Sequence, residues 1–250
     1  SSDVCSSDLG REQIMNAALT IAKREIRTYF NSPIAYIVVT VFMLLAGYLF
    51  FNGLFIERQA EMRGYFNIQP LLLSFIIPAM AMRLIAEEKG SGTLEILITM
   101  PVRDWQVVLG KFLAGMALLT TLVVLTGFYA VTVTFLGPLD RGPAIGGYLG
   151  LLLMGGAYMA IGVMASSFTR NQIVAFIIAF AISFALFLFG RMLQVVPVAL
   201  RPILSYLSID SHFESISRGV IDSRDVIYYL SVMVVSLVIA TASLESRKWK

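Results

Sequence analysis

A few short stretches carry the residue types from which active sites are built, and most of them lack a necessary partner. Gly110-Lys111 joins a glycine to a lysine, as phosphate-binding loops do. Phe112 follows where such a loop needs Ser or Thr, and its earlier glycine is missing, so the chain offers ATP no recognisable site. Ser91 lies between glycines in "KGSG", but a serine nucleophile needs a histidine beside it. His212 is the only histidine, and the topology argued below puts it on the opposite side of a membrane from Ser91. A single histidine also excludes a metal cage built from several His or Cys. Cys5 is the single cysteine, so no disulfide is implied. The remaining cluster is Glu87, Glu88, Lys89 and Glu95, held in "LIAEEKGSGTLEILITMPV" (84–102). It is a short charged piece between long apolar runs.

Those runs decide the fold class. The 250 residues have a mean hydropathy of +0.80, 58% hydrophobic residues and only 14% charged ones. Soluble domains carry about 25% charged residues. A bilayer-crossing helix needs about 20 apolar residues, because no water is present to satisfy a bare backbone. Six stretches free of Asp, Glu, Lys and Arg reach useful length: Thr28–Ile56, Gly64–Met82, Phe112–Leu139, Gly142–Thr169, Asn171–Gly190 and Val226–Leu244. The expectation is an all-α integral membrane protein with six transmembrane helices, at about 33–54, 67–85, 107–136, 145–167, 173–190 and 224–244. Pro78 is expected to kink the second. With both ends inside, 12 of the 19 Lys and Arg fall on the cytoplasmic side, which gives an N-in/C-in topology. The spans contain no ionisable residue of the kind a proton-coupled carrier uses. Ser183, Thr132 and Thr134 are read as helix-packing groups.

Between and around the spans the punctuation is legible. Residues 1–14 are expected to be a non-native or disordered tail, since "SSDVCSSDL" repeats itself and matches nothing that follows; Met15 is a plausible start. Residues 15–250 are expected to form one transmembrane domain. Residues 15–30 read as an amphipathic interfacial helix, with Leu19, Ala22, Ile26, Tyr29 and Phe30 at helical spacing and Lys23, Arg24 and Arg27 on other faces. The fourth span is rich in glycine, including Gly142, Gly146 and Gly150 at GxxxG spacing, which suits close packing within a bundle or a dimer face. "SSFTRNQ" (166–172) reads as a tight inner loop. Residues 191–222, broken by Pro197 and Pro202, are expected to form re-entrant helices at the outer leaflet.

In residues 93–101, Leu94, Leu97 and Ile98 make one apolar stripe on a short helix; Thr93, Glu95 and Thr99 fall elsewhere, and Pro101 stops it. Such a helix either rests on the membrane surface or plugs a partner's groove. The run "RLIAEEKGSGTLEILITMPVRDWQVVLGKFLA" resembles the region between the second and third spans of ABC-2 type transporter permeases. "AKREIRTYFNSPIAYIVVTVF" and "HFESISRGVIDSRDVIYYLS" are similar to the same family, closest to its small gliding-motility and nitrous-oxide-reductase-maturation permeases. The resemblance implies a non-catalytic permease subunit in a bacterial inner membrane, with a second permease copy or paralogue, surrounding lipid and no nucleic acid as partners. It implies no cofactor on this chain; ATP and Mg would sit on a separate ABC ATPase subunit. It implies a cytoplasmic coupling helix that meets this ATPase through Glu87, Glu88, Gly92, Thr93, Leu94, Glu95, Leu97, Ile98 and Pro101. A second contact would use Ser167, Thr169, Arg170 and Asn171, and the interfacial helix with Lys23, Arg24 and Arg27 would lie nearby. Transport, as export, is the implied function; an ATPase-linked membrane anchor and a secondary carrier or channel are the alternatives.

Overall fold

The computed structural model describes residues 18–57, 61–93, 103–137 and 139–246, and these are helical with no strand among them. Helix α1 covers 18–31. It is followed by α2 (Pro33–Glu57), α3 (Arg63–Ala81), α4 (Arg83–Ser91), α5 (Asp104–Leu136), α6 (Arg141–Phe168), α7 (Gln172–Arg191), α8 (Arg201–Leu207), α9 (Ile209–Ser217) and α10 (Ser223–Glu245). A single 3-10 turn, Met192–Gln194, leads from α7 toward α8. Among the described residues six helical stretches are long and apolar enough to cross a membrane, with α3 and α4 together forming one of them. The class expected from the charge-free runs is therefore observed.

The boundaries differ from the expected spans in one consistent way. The second span begins at Arg63, not 67, the third at Asp104, not 107, and the fourth extends from Arg141 to Phe168. Charged side chains at helix ends reach along apolar surface to water, so a charge-free run clips a helix at both ends. The loop expected at 166–172 shrinks accordingly to Thr169–Asn171, because Ser166, Ser167 and Phe168 are still helical.

Helix α6 is the hub. It packs against α3, α4, α5, α7, α9 and α10. Its apolar window is 78% buried, against 17% for that of α2, which faces outward on most sides. The glycines explain how six neighbours approach one helix. A Cβ at Gly147 would overlap the ring of Phe66 in α3, and one at Gly162 would overlap the Ala81 Cβ. Gly146 and Gly150 face Ile216 and Phe213 of α9 in the same chain, so this GxxxG serves packing inside the bundle. Replacement of Gly162 by valine is expected to cost about 1–3 kcal/mol of stability through overpacking. A thermal melt in detergent would show this as a lower Tm, and an unchanged Tm would contradict the tight α3–α6 contact.

The second span is broken at Met82, four residues beyond Pro78. The proline carries no N–H, but the break is held by another helix. The Ser166 hydroxyl of α6 accepts from the backbone N–H groups of Ile85 (3.0 Å) and Ala86 (2.8 Å). The same hydroxyl donates to the Met82 carbonyl (3.1 Å). One serine thus stands in for rungs of the helical ladder, a recognised cause of a sharp kink.

The two ends of the bundle are built differently. At one end, here the cap end, α8 and α9 are pinned by side chains from two long helices. Arg191 of α7 pairs with Asp210 (3.0 Å) and donates to the Asn67 carbonyl (3.2 Å). Tyr228 and Tyr229 of α10 donate to the carbonyls of Leu207 (2.6 Å) and Ile209 (2.9 Å). Burial lifts the Asp210 carboxyl above its ordinary range, and the Arg191 guanidinium pulls it back. The other end, here the junction end, holds α1, α4 and the start of α5.

Candidate functional site

The junction end is organised by Lys111, seven residues into α5. Its side chain is only 1% exposed, which for a lysine requires paired charge. The ammonium lies 2.8 Å from Glu88 of α4 and 3.4 Å from Glu25 of α1. Arg24 of α1 closes the circuit, at 3.3 Å from Glu25 and 3.8 Å from Glu88. Three helices, α1, α4 and α5, are therefore tied at one buried cation.

Gly110 makes this possible, because a Cβ there would lie 2.9 Å from the Ala18 carbonyl oxygen and from the Ile21 Cβ. Any other residue would push α1 off α5 and pull Glu25 away from Lys111. A parallel tie holds the far side of α4. Lys89, also buried, donates to the Ser167 carbonyl at the end of α6, and Ser243 of α10 donates to the same oxygen (3.1 Å). Helix α4 is thus gripped from both flanks by its two adjacent residues, Glu88 and Lys89.

A cleft of about 350 Å³ lies between α1 and α4, lined by Arg24, Glu25, Tyr29, Arg83, Glu87 and Lys111 among others. Burial holds the Tyr29 phenol well above its ordinary range, with Glu25 adding to the effect, so it stays neutral. The charged groups around the cleft pair with one another. The arrangement resembles a mechanical joint, with cations and carboxylates distributed over helices that must keep a fixed relation. Among the described residues no group of three or more His, Cys, Asp or Glu could hold a metal ion.

A family profile described as ABC-2 family transporter protein matches residues 19–249. The chain belongs to that family. A comparison with curated proteins finds no match. ABC-2 permeases are multi-pass membrane subunits of ABC transporters and generally pair with an ABC ATPase subunit. The six long apolar helices fit such a permease.

Within the permease, the residues singled out from sequence divide by exposure. Leu94, Glu95, Leu97, Ile98 and Pro101 lie outside the described residues. Gly92 ends α4 with φ 75°, a left-handed conformation that glycine adopts without penalty. Thr93 Oγ1 is 2.9 Å from Ser91 Oγ. Glu87 faces outward in a two-bond pair with Arg83 (2.8 and 3.0 Å). Glu88 turns inward to Lys111, and its Oε2 is buried without a hydrogen-bond partner. Ser167 is buried with its carbonyl occupied, whereas Arg170 and Asn171 are exposed and Thr169 is half-buried. Asn171 caps α7 by accepting from the Ile173 N–H (2.9 Å). Lys23, Arg24 and Arg27 are exposed along α1.

The neighbouring glutamates should therefore behave differently. Glu87→Gln is expected to change stability by no more than about 0.5 kcal/mol, because an exposed i,i+4 pair is worth little. Glu88→Gln removes a charge that a buried lysine needs and should cost several times more. Parallel thermal melts of the two variants compare them directly, and equal shifts would contradict the inward placement of Glu88.

Sequence reasoning missed Lys111, Glu25 and Ser166 as parts of the site. Lys111 had a visible signal. It sits beside a glycine at the head of a long apolar helix, on the face that also carries Val107, Val108, Ala114 and Leu118, all buried.

Proposed function

We propose that the chain is the membrane subunit of an exporter in which a partner ABC ATPase moves α4, and through it α1 and α5, as one body. The carrying observation is the Lys111 junction, which fixes the base of the segment leading into 94–102 to two other helices. In this reading residues 87–101 contact the ATPase, with Glu95, Leu97 and Ile98 on the docking helix, and Thr169, Arg170 and Asn171 add a second contact. The junction end faces the cytoplasm of a bacterial inner membrane, as the positive-inside bias supports. A second copy or a paralogue completes the pathway. ATP drives the cycle only by binding unequally to the inward- and outward-facing states.

Two assays test this reading together: copurification of an ABC ATPase with the tagged chain from native membranes, and stimulation of its ATP hydrolysis in proteoliposomes. Wild type is expected to retain the ATPase, and the Glu88→Ala/Glu95→Ala double variant to insert normally but lose docking or stimulation. Wild-type copurification and stimulation in that variant would contradict the coupling assignment.

A further inference from the structure

Helix α1 presents three faces, and one of them has no protein partner among the described residues. Ala18 and Ala22 are buried, and Ala18 and Ile21 lie against α5 at Gly110. Arg24, Glu25, Thr28, Tyr29 and Ser32 line the cleft toward α4. Lys23 and Arg27 do neither. Both are exposed, and among the described residues neither side chain makes a hydrogen bond or an ion pair. Three basic residues that look alike in sequence therefore differ. Arg24 belongs to the Lys111 junction, and Lys23 and Arg27 are free.

Their setting is that of side chains at a lipid headgroup. A helix turns about 100° per residue, which puts Lys23 and Arg27 side by side, one turn apart. On one flank of the pair come Leu19, Ile26 and Phe30, and on the other Thr20, Asn31 and Arg24. Leu19 is 52% exposed. Cations on the border between an apolar and a polar flank meet lipid phosphate, because their stems lie along acyl chains while their heads reach the headgroup. The chain also fixes the depth. Only Ser32 separates α1 from α2, whose apolar span begins at Ala35, so α1 stays at the edge of the hydrocarbon. Tyr36, 59% exposed in the first turn of α2, carries the kind of ring enriched at this level. The only carboxylate within 18–31 is Glu25, which turns away to Lys111. A zwitterionic headgroup brings its own ammonium to compete for its phosphate. An anionic headgroup leaves its charge for the protein to answer.

We propose that the outward face of α1 docks anionic phospholipid, with phosphate at Lys23 and Arg27 and Leu19 among the acyl chains. The face lies on the opposite side of α1 from Glu25, and lipid binding there does not depend on the ATPase coupling proposed above.

The test is native mass spectrometry of the delipidated permease titrated with phosphatidylglycerol, with phosphatidylcholine of the same acyl chains, and with soluble glycerol 3-phosphate. Phosphatidylglycerol is expected to bind at least about tenfold more tightly than phosphatidylcholine. Lys23→Gln/Arg27→Gln should lose most of that preference at an unchanged Tm, since neither side chain has a protein contact to give up. Arg141→Gln/Arg224→Gln removes the same charge from exposed positions at the cap end and should keep the preference. Equal binding of the two lipids, a preference that survives Lys23→Gln/Arg27→Gln, or an equal loss in the cap-end variant overturns the proposal. A lowered Tm in the α1 variant contradicts the free outward placement of the pair and overturns it too. Glycerol 3-phosphate binding as tightly as phosphatidylglycerol overturns the lipid assignment. Loss of ATPase copurification in the α1 variant, with its lipid preference intact, assigns the face to the protein partner instead.

Discussion

Replacing Lys111 with methionine is expected to destabilise the permease by on the order of 3 kcal/mol. It would leave Glu25 and Glu88 facing each other with their buried cation gone and only the exposed Arg24 beside them. Their side chains are 14% and 18% exposed, so water offsets little of the repulsion. The cost should come from stranded charge more than from the lost attraction, because desolvation consumes most of what a buried pair gains. This origin can be tested. Adding Glu25→Gln and Glu88→Gln to Lys111→Met removes all three charges and is expected to recover most of the stability. The three sites are in contact, so the effects should be strongly non-additive, and melts of the full set of single and combined variants measure the coupling. Coupling to the ATPase should not return with stability, since an apolar joint lets α1 and α4 slide. A triple variant that regains both Tm and ATPase stimulation would reduce Lys111 to a packing residue.

Ser166→Ala is expected to have the second large effect. The substitution removes one oxygen that satisfies two N–H groups and one carbonyl at the break between α3 and α4. Each buried group left unpaired costs about 1–3 kcal/mol, so the expected loss is on the order of 3 kcal/mol unless the helix rewinds across Met82. Hydrogen exchange distinguishes the outcomes. If the break persists, the amides of Ile85 and Ala86 should exchange much faster. If the helix rewinds, their protection returns, and α4 swings relative to α6 and pulls Lys89 from the Ser167 carbonyl. Wild-type exchange together with wild-type stability would show that Ser166 does not hold the break.

The parts of this structure legible in the sequence are those set by the solvent. A bilayer excludes charge, so the charge-free runs reveal six spans, and prolines at 197 and 202 mark the segment that does not cross. The parts that were not legible depend on contacts between distant residues. Pro78 suggested a kink, yet the break sits at Met82 because a serine more than 80 positions away completes the hydrogen bonds there. Glu87 and Glu88 look equivalent as adjacent acids; helix geometry turns one toward Arg83 on its own helix and the other toward Lys111. Lys111 itself read as one more positive charge on the inner side. Its burial depends on Gly110 letting α1 approach, and the adjacent glycine is a local sign that does not say which helix comes close. The docking helix expected over 93–101 falls almost wholly outside the described residues, so it stands on its apolar stripe and on family resemblance alone.

The central claim is that α1 and α4 move as one body during the ATPase cycle. Spin labels at the exposed positions Arg27 and Ser91, read by double electron–electron resonance in the complex with its ABC ATPase, test it most directly. The α1–α4 distance is expected to stay within about 2 Å between the nucleotide-free and vanadate-trapped states, and to shift or broaden when Lys111 is replaced by methionine. A wild-type distance that changes by about 5 Å or more between those states would contradict the claim.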